Sequence, residues 1–200
     1  MATTLVLGAA RNGKSTYASS LMTAHQSVTY VATGPKVSEA PDQVWADRVE
    51  ELRAARPDTW RTVVTTDLAH ALIFSRDPVI IDTLSHWVWQ LLDRYDLWPS
   101  TKGAIARIDE ELEDLLVIYQ SLPHDIVAIS DEVGWGGEAT SGLESTYRDV
   151  LSHVNNRFSA VSQRVHLLVG GRVLDLSSSP AVTSFYESDR RLQPRELAEQ

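Results

Sequence analysis

The sequence contains no cysteine. That absence excludes a disulfide framework, a thiolate metal site and a thiol nucleophile. It has no uninterrupted apolar run of the roughly 18 residues that a membrane-spanning helix requires, so no integral membrane segment is expected. Basic residues are in deficit: 18 Lys and Arg stand against 27 Asp and Glu, a net charge of −9. A protein that grips nucleic acid by neutralising phosphates needs a basic surface or stripe, and none is visible, so no nucleic-acid partner is expected. The opening Met1-Ala2-Thr3-Thr4 lacks the positive region of a signal peptide, which makes a cytoplasmic location the expectation. With thiols gone, six histidines form the obvious pool of nucleophiles and ligands near neutral pH.

What is present suits a globular domain. Hydrophobic residues make up 43% of the 200 and charged residues 22%, which excludes wholesale disorder. The length suits one domain and is short for two. Apolar, β-branched runs at Leu5–Leu7, Val28–Ala32, Arg61–Val64, Val79–Asp82, Ile126–Ser130 and Val165–Val169 read as strands, with a last short one at Arg172–Leu176. Most are apolar throughout, as in a sheet covered on both faces. Helix-period segments lie between them: Lys14–His25, Val44–Arg56, Leu84–Tyr95, Ala104–Ser121 and Leu143–Ser162. The alternation predicts an α/β fold with a mostly parallel sheet over residues 1–176. In Ala104–Ser121, Ile105, Ile108, Leu112, Leu115 and Leu116 form the inner stripe, and the acids Asp109–Asp114 a solvated face. From Ser177 to Gln200 the pattern breaks into a polar tail, with at most a short helix near its end.

Gly8-Ala9-Ala10-Arg11-Asn12-Gly13-Lys14-Ser15 matches the phosphate-loop pattern G-x-x-x-x-G-K-[ST]. Two glycines let successive backbone N–H groups converge on one anion, and the following helix aims its positive end there. Lys14 is expected to meet the β- and γ-phosphates, and the Ser15 hydroxyl to ligate magnesium. A random chain of this length matches with a chance of about 0.7%, and here the match sits between a strand and a helix. The acid ending Val79-Ile80-Ile81-Asp82 should lie at the carboxyl end of its strand, so Asp82 is the expected magnesium partner. The alternative for Asp82 is a helix N-cap. Asp131 and Glu132, after the run Ile126–Ile129, are secondary candidates for orienting a phosphate acceptor or the metal.

The order of motifs continues with Tyr30-Val31-Ala32-Thr33, Arg56-Pro57-Asp58-Thr59-Trp60-Arg61-Thr62, Asp82-Thr83-Leu84-Ser85-His86-Trp87 and Asp131-Glu132-Val133-Gly134-Trp135-Gly136. Tyr147-Arg148-Asp149, Val154-Asn155 and Leu168-Val169-Gly170-Gly171 complete it. From about Leu5 to Leu176 the chain resembles the bifunctional adenosylcobinamide kinase / adenosylcobinamide-phosphate guanylyltransferase family of cobalamin assembly. The resemblance implies a RecA-like fold, a homotrimer, and ATP or GTP with magnesium as cofactors. It also implies a kinase step on the aminopropanol hydroxyl of a corrinoid, adenosylcobinamide. In a second step GMP passes from GTP to an enzyme histidine and then to the cobinamide phosphate. Catalytic roles fall on Lys14 and Asp82, and nucleotide contacts extend beyond the loop to Ala32, Thr33, Gly34, Arg53 and Arg56.

The departures cluster around the second step. The family's guanylylated histidine lies five residues before the proline of the Arg-Pro pair, and counting back from Pro57 that position here is Leu52. A leucine has no lone pair to attack an α-phosphate. It continues the stripe Trp45, Val49, Leu52 and reads as a core or groove residue. Val64 stands where the family has a nucleotide-contacting glutamate, and Asp131 where it has asparagine. Gly136-Gly137-Glu138-Ala139 replaces Gly-Ile-Val-Pro, and Gly34–Asp42 is a longer, Pro-containing loop. His86, one helical turn after Asp82, is the single histidine placed to face a nucleotide. His70 reads as a helix-surface or half-buried residue, and His25, His124, His153 and His166 as structural. Of Trp87 and Trp89 one should be core and the other flank a corrinoid or a subunit interface, while Trp135 should be exposed. Three readings stay open: a kinase without guanylyl transfer, the full bifunctional enzyme, and a non-catalytic nucleotide- or corrinoid-binding homologue.

Overall fold

The computed structural model describes residues 1–35 and 42–181. Most of the long Gly34–Asp42 loop and the end of the expected tail therefore lie outside the described residues. The apolar runs form seven strands: β1 (Thr3–Gly8), β2 (Thr29–Ala32), β3 (Arg61–Val64), β4 (Val79–Asp82), β5 (Ile126–Asp131), β6 (Arg164–Val169) and β7 (Arg172–Asp175). Between them lie α1 (Lys14–Leu21), α2 (Gln43–Ala54), α3 (Leu68–Ile73), α4 (Leu84–Arg94), α5 (Thr101–Ser121) and α6 (Gly142–Val161). The strands make one sheet in the order β3-β2-β4-β5-β1-β6-β7. Every pairing is parallel except the last, where β6 and β7 form an antiparallel hairpin.

Alternation along β1 sends Leu5 and Leu7 to one face and Val6 to the other. Leu5 and Leu7 join Val31, Ile81 and Ala128 under α3, α4, α5 and α6. Val6 joins Tyr30, Ile80, Val127 and Ile129 under Ala18 and Met22 of the α1 segment. Both faces of the central strands are thus covered, as their unbroken apolar character predicts. The edges depart from that expectation. β3 and β7 are largely exposed, because each is paired on one side only and no helix lies over it deeply enough to bury it.

The α5 stripe is mostly as expected: Ile108, Leu112, Leu115 and Leu116 are buried, joined by Ala104 and Tyr119, while Ile105 is only half-buried, and on the acidic face Asp109 is paired with His153 and Arg157 rather than simply solvated. Ser100 caps that helix by accepting from the Gly103 N–H (3.1 Å). Ser141 caps α6 in the same way, while Glu144 reaches back to the Thr140 N–H (2.8 Å). Helix α1 is shorter than expected. It ends at Leu21 with the Met22 N–H turned to the Ser19 carbonyl, and His25 is drawn instead to Asp125 (3.2 Å), just before β5. Helix α3, short enough to escape the helix-period segments although His70 reads as a helix-surface residue, is started by Asp67, which accepts from the His70 N–H (3.0 Å). Among the described residues no helix is long and apolar enough to cross a membrane.

Candidate functional site

The parallel register brings the carboxyl ends of the inner strands to one edge of the sheet. Gly8 pairs with Asp131 and with Leu168, Ala32 with Asp82 and with Val64. The phosphate loop leaves β1 there and enters α1. Gly8 must be glycine, because a Cβ would meet the Leu168 carbonyl oxygen at 2.8 Å and the Asn12 amide at 2.3 Å. Asn12 donates to that same carbonyl (2.9 Å) and ties the loop to β6. Gly13 precedes the helix in a left-handed conformation (φ 93°). The backbone N–H groups of residues 10–15 donate to no partner among the described residues. Together with the N-terminus of α1 they form an unfilled set of donors of the kind that binds anions.

Lys14 is 6% exposed despite its charge. Its ammonium donates to the carbonyls of Gly8 (3.0 Å) and Ala9 (2.6 Å) and lies 2.7 Å from Asp131 Oδ1. Three donors thus meet three acceptors. Asp131 is itself held: its Oδ2 accepts from Ser85 Oγ (2.5 Å) and its carbonyl from the Asn155 amide (3.0 Å). Tyr147 donates to the Ser85 carbonyl (3.3 Å), and burial pushes its phenol well above the ordinary range. Ser15 is half-buried, and its hydroxyl makes no hydrogen bond among the described residues.

Asp82 ends β4, one strand removed from β1. Its carboxylate accepts the hydroxyl of Tyr30, which is 1% exposed. Burial, and then the Asp82 charge, push the Tyr30 phenol well above its ordinary value, so it stays a donor. The Arg56 guanidinium lies 3.2 Å above the Tyr30 ring centre and donates to Thr62 Oγ1 (3.0 Å). The N-cap of α4 is Thr83 rather than Asp82, leaving the Asp82 carboxylate outside the helix.

Thr33 is fully buried and exchanges hydrogen bonds with Thr83, accepting from its N–H (2.9 Å) and donating to its carbonyl (2.6 Å). Gln90 donates to the Thr33 carbonyl (2.6 Å). Gly34 packs so tightly that a Cβ would lie 2.6 Å from the Trp45 ring. Trp45 in turn meets the His86 ring edge-on at 4.7 Å, and His86 Nδ1 is 3.1 Å from Thr83 Oγ1. Leu52 is half-buried on the stripe it shares with Trp45 and Val49, and α2 fully buries no residue.

Of the residues nominated from sequence, the loop, Asp82, Ala32, Thr33 and Gly34 gather at this one edge. Arg53 is exposed on the last turn of α2 and shares no hydrogen bond or ion pair with the loop. Among the described residues, Arg56 reaches the site through Tyr30. The Lys14–Asp131 pair gives Asp131 a more central place than a secondary acid. Tyr30, Ser85, Gln90 and Asn155 were not nominated, and their partners lie 24 to 57 positions away in sequence. Trp87 is buried and donates to the Thr66 carbonyl (2.9 Å), whereas Trp89 is half-exposed against Trp98 and Tyr147, and Trp135 is exposed. His25, His153 and His166 bond to Asp125, Asp109 and Tyr17. The ring nitrogens of His124 have no partner among the described residues. His70 is exposed and lies against Phe74.

Burial lowers the pKa of His86 and of His166 below the ordinary 6.5, with nearby Asp82 and Asp131 opposing the shift for His86 and Asp175 for His166. The unfolded chain therefore takes up protons at these rings before the folded chain does. Stability from this source is present above about pH 6.5 and lost as pH falls toward the folded values. The urea midpoint is expected to drop between about pH 7 and pH 5.5, with a shallower drop in His166→Gln. A midpoint flat over that interval in the parent protein would contradict this assignment.

A family model described as cobinamide kinase / cobinamide phosphate guanyltransferase matches residues 4–176. The chain is 33% identical over 177 residues to the bifunctional adenosylcobalamin biosynthesis protein CobU of Escherichia coli (strain K12), covering 84% of this chain and 95% of that protein. It is 31% identical over 181 residues to the bifunctional adenosylcobalamin biosynthesis protein CobP of Pseudomonas aeruginosa, covering 88% and 98%. Among solved structures, a prototypical ATPase from the type III secretion system of pathogenic bacteria aligns at a TM-score of 0.49 and 13% identity, over 90% of this chain and 54% of that one.

Proposed function

The chain belongs to the cobinamide kinase / cobinamide phosphate guanyltransferase family, and within it we propose a magnesium-dependent kinase that phosphorylates the aminopropanol hydroxyl of adenosylcobinamide from ATP or GTP. We propose further that guanylyl transfer is lost. The observation that carries the second statement is Leu52 at the position where the resemblance puts the histidine nucleophile. The kinase rests on the unfilled backbone donors, Lys14 and the carboxylates at one sheet edge. Residues 1–176 form the catalytic unit and 177–200 a tail, and by resemblance the protein works as a cytoplasmic homotrimer.

The residues present fit magnesium. Among the described residues no three His, Asp or Glu side chains cluster as a protein cage. Magnesium instead favours one or two protein oxygens completed by substrate phosphates and water. Ser15, whose hydroxyl has no partner among the described residues, and Asp82 are those oxygens in our reading. The bound ion would neutralise charge on the β- and γ-phosphates. The loop N–H groups grip the phosphates, and Lys14 turns from its carbonyls and Asp131 to the transferred group. The acceptor hydroxyl forms the new O–P bond as the bond from the γ-phosphorus to the β–γ bridging oxygen breaks. Asp131 and Glu132 orient the acceptor, and a carboxylate there takes its proton.

One experiment separates the two halves of this reading. With γ-labelled GTP, label should pass to cobinamide. With α-labelled GTP no acid-labile label should remain on the protein. A second reading has a specific observation behind it: His86 packs on Trp45, which shares a helix face with Leu52, and burial favours its neutral ring. Covalent label abolished by His86→Ala would establish that reading, and covalent label of any kind would end the claim that guanylyl transfer is lost.

A further inference from the structure

A cavity of about 490 Å³ opens between the first turns of α5 and α6. Its size lies in the range of small-molecule sites. Trp98 and Pro99 line it from the turn before α5, and Leu143 and Thr146 from α6. None of its lining residues carries a charge. An aromatic rim extends it outward. The Trp89 ring of α4 meets the Trp98 ring edge-on at 4.7 Å and the Tyr147 ring at 5.5 Å. Trp89 is 51% exposed and Leu143 55%. Single exposed apolar side chains are ordinary, but these two flank one aromatic cluster beside a cavity, as on a surface that another molecule covers.

The shelf is tied to the phosphate site. Ser85 and Trp89 stand four residues apart in α4, so they share a helix face, one turn apart. The Ser85 hydroxyl holds Asp131 Oδ2 (2.5 Å). Tyr147, which packs against Trp89, donates to the Ser85 carbonyl (3.3 Å). The shelf therefore begins one helical turn from the carboxylate that our functional reading sets at the acceptor hydroxyl. None of the residues that the resemblance gives to the nucleotide lines the cavity.

The lining selects the occupant. A cavity without a cationic side chain is poorly suited to a phosphate, whose charge it would leave unpaired. Its polar groups suit neutral acceptors instead. The backbone N–H groups of Thr101, Gly142 and Leu143, in the first turns of the two helices, donate to no partner among the described residues. A corrinoid is a broad macrocycle with a largely apolar rim and neutral amide arms. Aromatic side chains give such a ring contact area at low entropic cost, and free N–H groups can take its amide carbonyls. We propose that the Trp89, Trp98 and Leu143 shelf with its cavity seats the corrin macrocycle of the acceptor, so that the arm bearing the aminopropanol hydroxyl reaches inward to Asp131. The proposal rests on the cobinamide kinase reading, and its test keeps the two apart.

The probes are cobinamide in its dicyano form and the non-hydrolysable nucleotide β,γ-imido-GTP with magnesium, each titrated into the full chain by calorimetry. Trp89→Ala and Leu143→Asp should each weaken cobinamide about tenfold or more, the scale of removing an anchor from a binding surface, while the nucleotide analogue binds as it does to the parent. Both positions are exposed, and an aspartate at the second residue of α6 suits the positive end of that helix, so both variants should fold. Trp89→Phe keeps an aromatic face and should recover most of the affinity. If the parent binds cobinamide and both variants match it, the shelf is not the corrin site, although the kinase reading stands. If the variants weaken the nucleotide analogue as much as cobinamide, their effect is general and the proposal fails. If cobinamide affinity falls only together with a change of oligomeric state in sedimentation, the face joins copies of this chain and the proposal fails. If the parent binds no cobinamide with the nucleotide analogue present or absent, the acceptor reading falls and the shelf with it.

Discussion

Lys14→Ala should lower phosphoryl transfer to cobinamide by about three orders of magnitude, measured with γ-labelled nucleotide. Removing one preorganised group that stabilises transition-state charge costs about 100- to 1,000-fold, and Lys14 carries a full charge. Arginine should not rescue it. The side chain is buried, and its three acceptors are Gly8 O, Ala9 O and Asp131 Oδ1, a set that suits a compact ammonium rather than a planar fork. The lysine must leave that set to meet a phosphate, so Asp131 competes with the nucleotide. Asp131→Asn is accordingly expected to tighten nucleotide binding several-fold, on the scale of a partly exposed ion pair worth about 1 kcal/mol, and to lower kcat because the acceptor loses its carboxylate. A Lys14→Ala protein with the parental rate would end the kinase assignment.

The loop and the strand ends were legible because they are local. Gly8, Gly13, Lys14 and Ser15 lie within eight positions, and a strand followed by Asp has to present that acid at the sheet edge. β3 and β4 fell where their β-branched residues put them. The exposure of β3 and β7 was not legible, since it depends on strand order, and four residues of mixed polarity do not say whether a neighbour lies on both sides. Helix α3 was legible only through His70, read as a helix-surface or half-buried residue, because six residues hold too few turns to establish a period. The ion pair of Lys14 with Asp131 spans 117 positions and follows from the register of β1 against β5, which a single sequence does not print. Arg56 shows the same limit. Family resemblance nominated it as a nucleotide contact, and the fold lays it on Tyr30, which the sequence offered as a strand residue and a motif member without a role. His86 could be placed on the first turn of a helix, but its contact with Trp45 depends on how α2 returns over the sheet edge.

That Tyr30 contact shapes the second large effect, at Asp82. Asp82→Asn should lower phosphoryl transfer by about 100-fold or more and raise the magnesium concentration for half-maximal rate, since a neutral amide is a poorer ligand for a hard cation. Alanine is the less informative substitution. It would leave the buried Tyr30 hydroxyl without its acceptor, a loss of about 1–3 kcal/mol that would mix folding with chemistry. Asparagine keeps an oxygen for Tyr30 and removes only the charge. Tyr30→Phe supplies the complementary half: the carboxylate keeps its charge and loses the Tyr30 hydroxyl as donor. If Asp82 serves as a metal ligand, Tyr30→Phe should retain most of the rate and shift the magnesium dependence far less than Asp82→Asn. Parental magnesium dependence in Asp82→Asn would remove Asp82 from the metal site and transfer that role to Asp131 or Glu132, the other acids at this edge. Arg56→Ala then reports on the support beneath: with the guanidinium gone from the Tyr30 ring, a positioning effect appears as a modest loss in kcat, while loss of a direct nucleotide contact appears in KM.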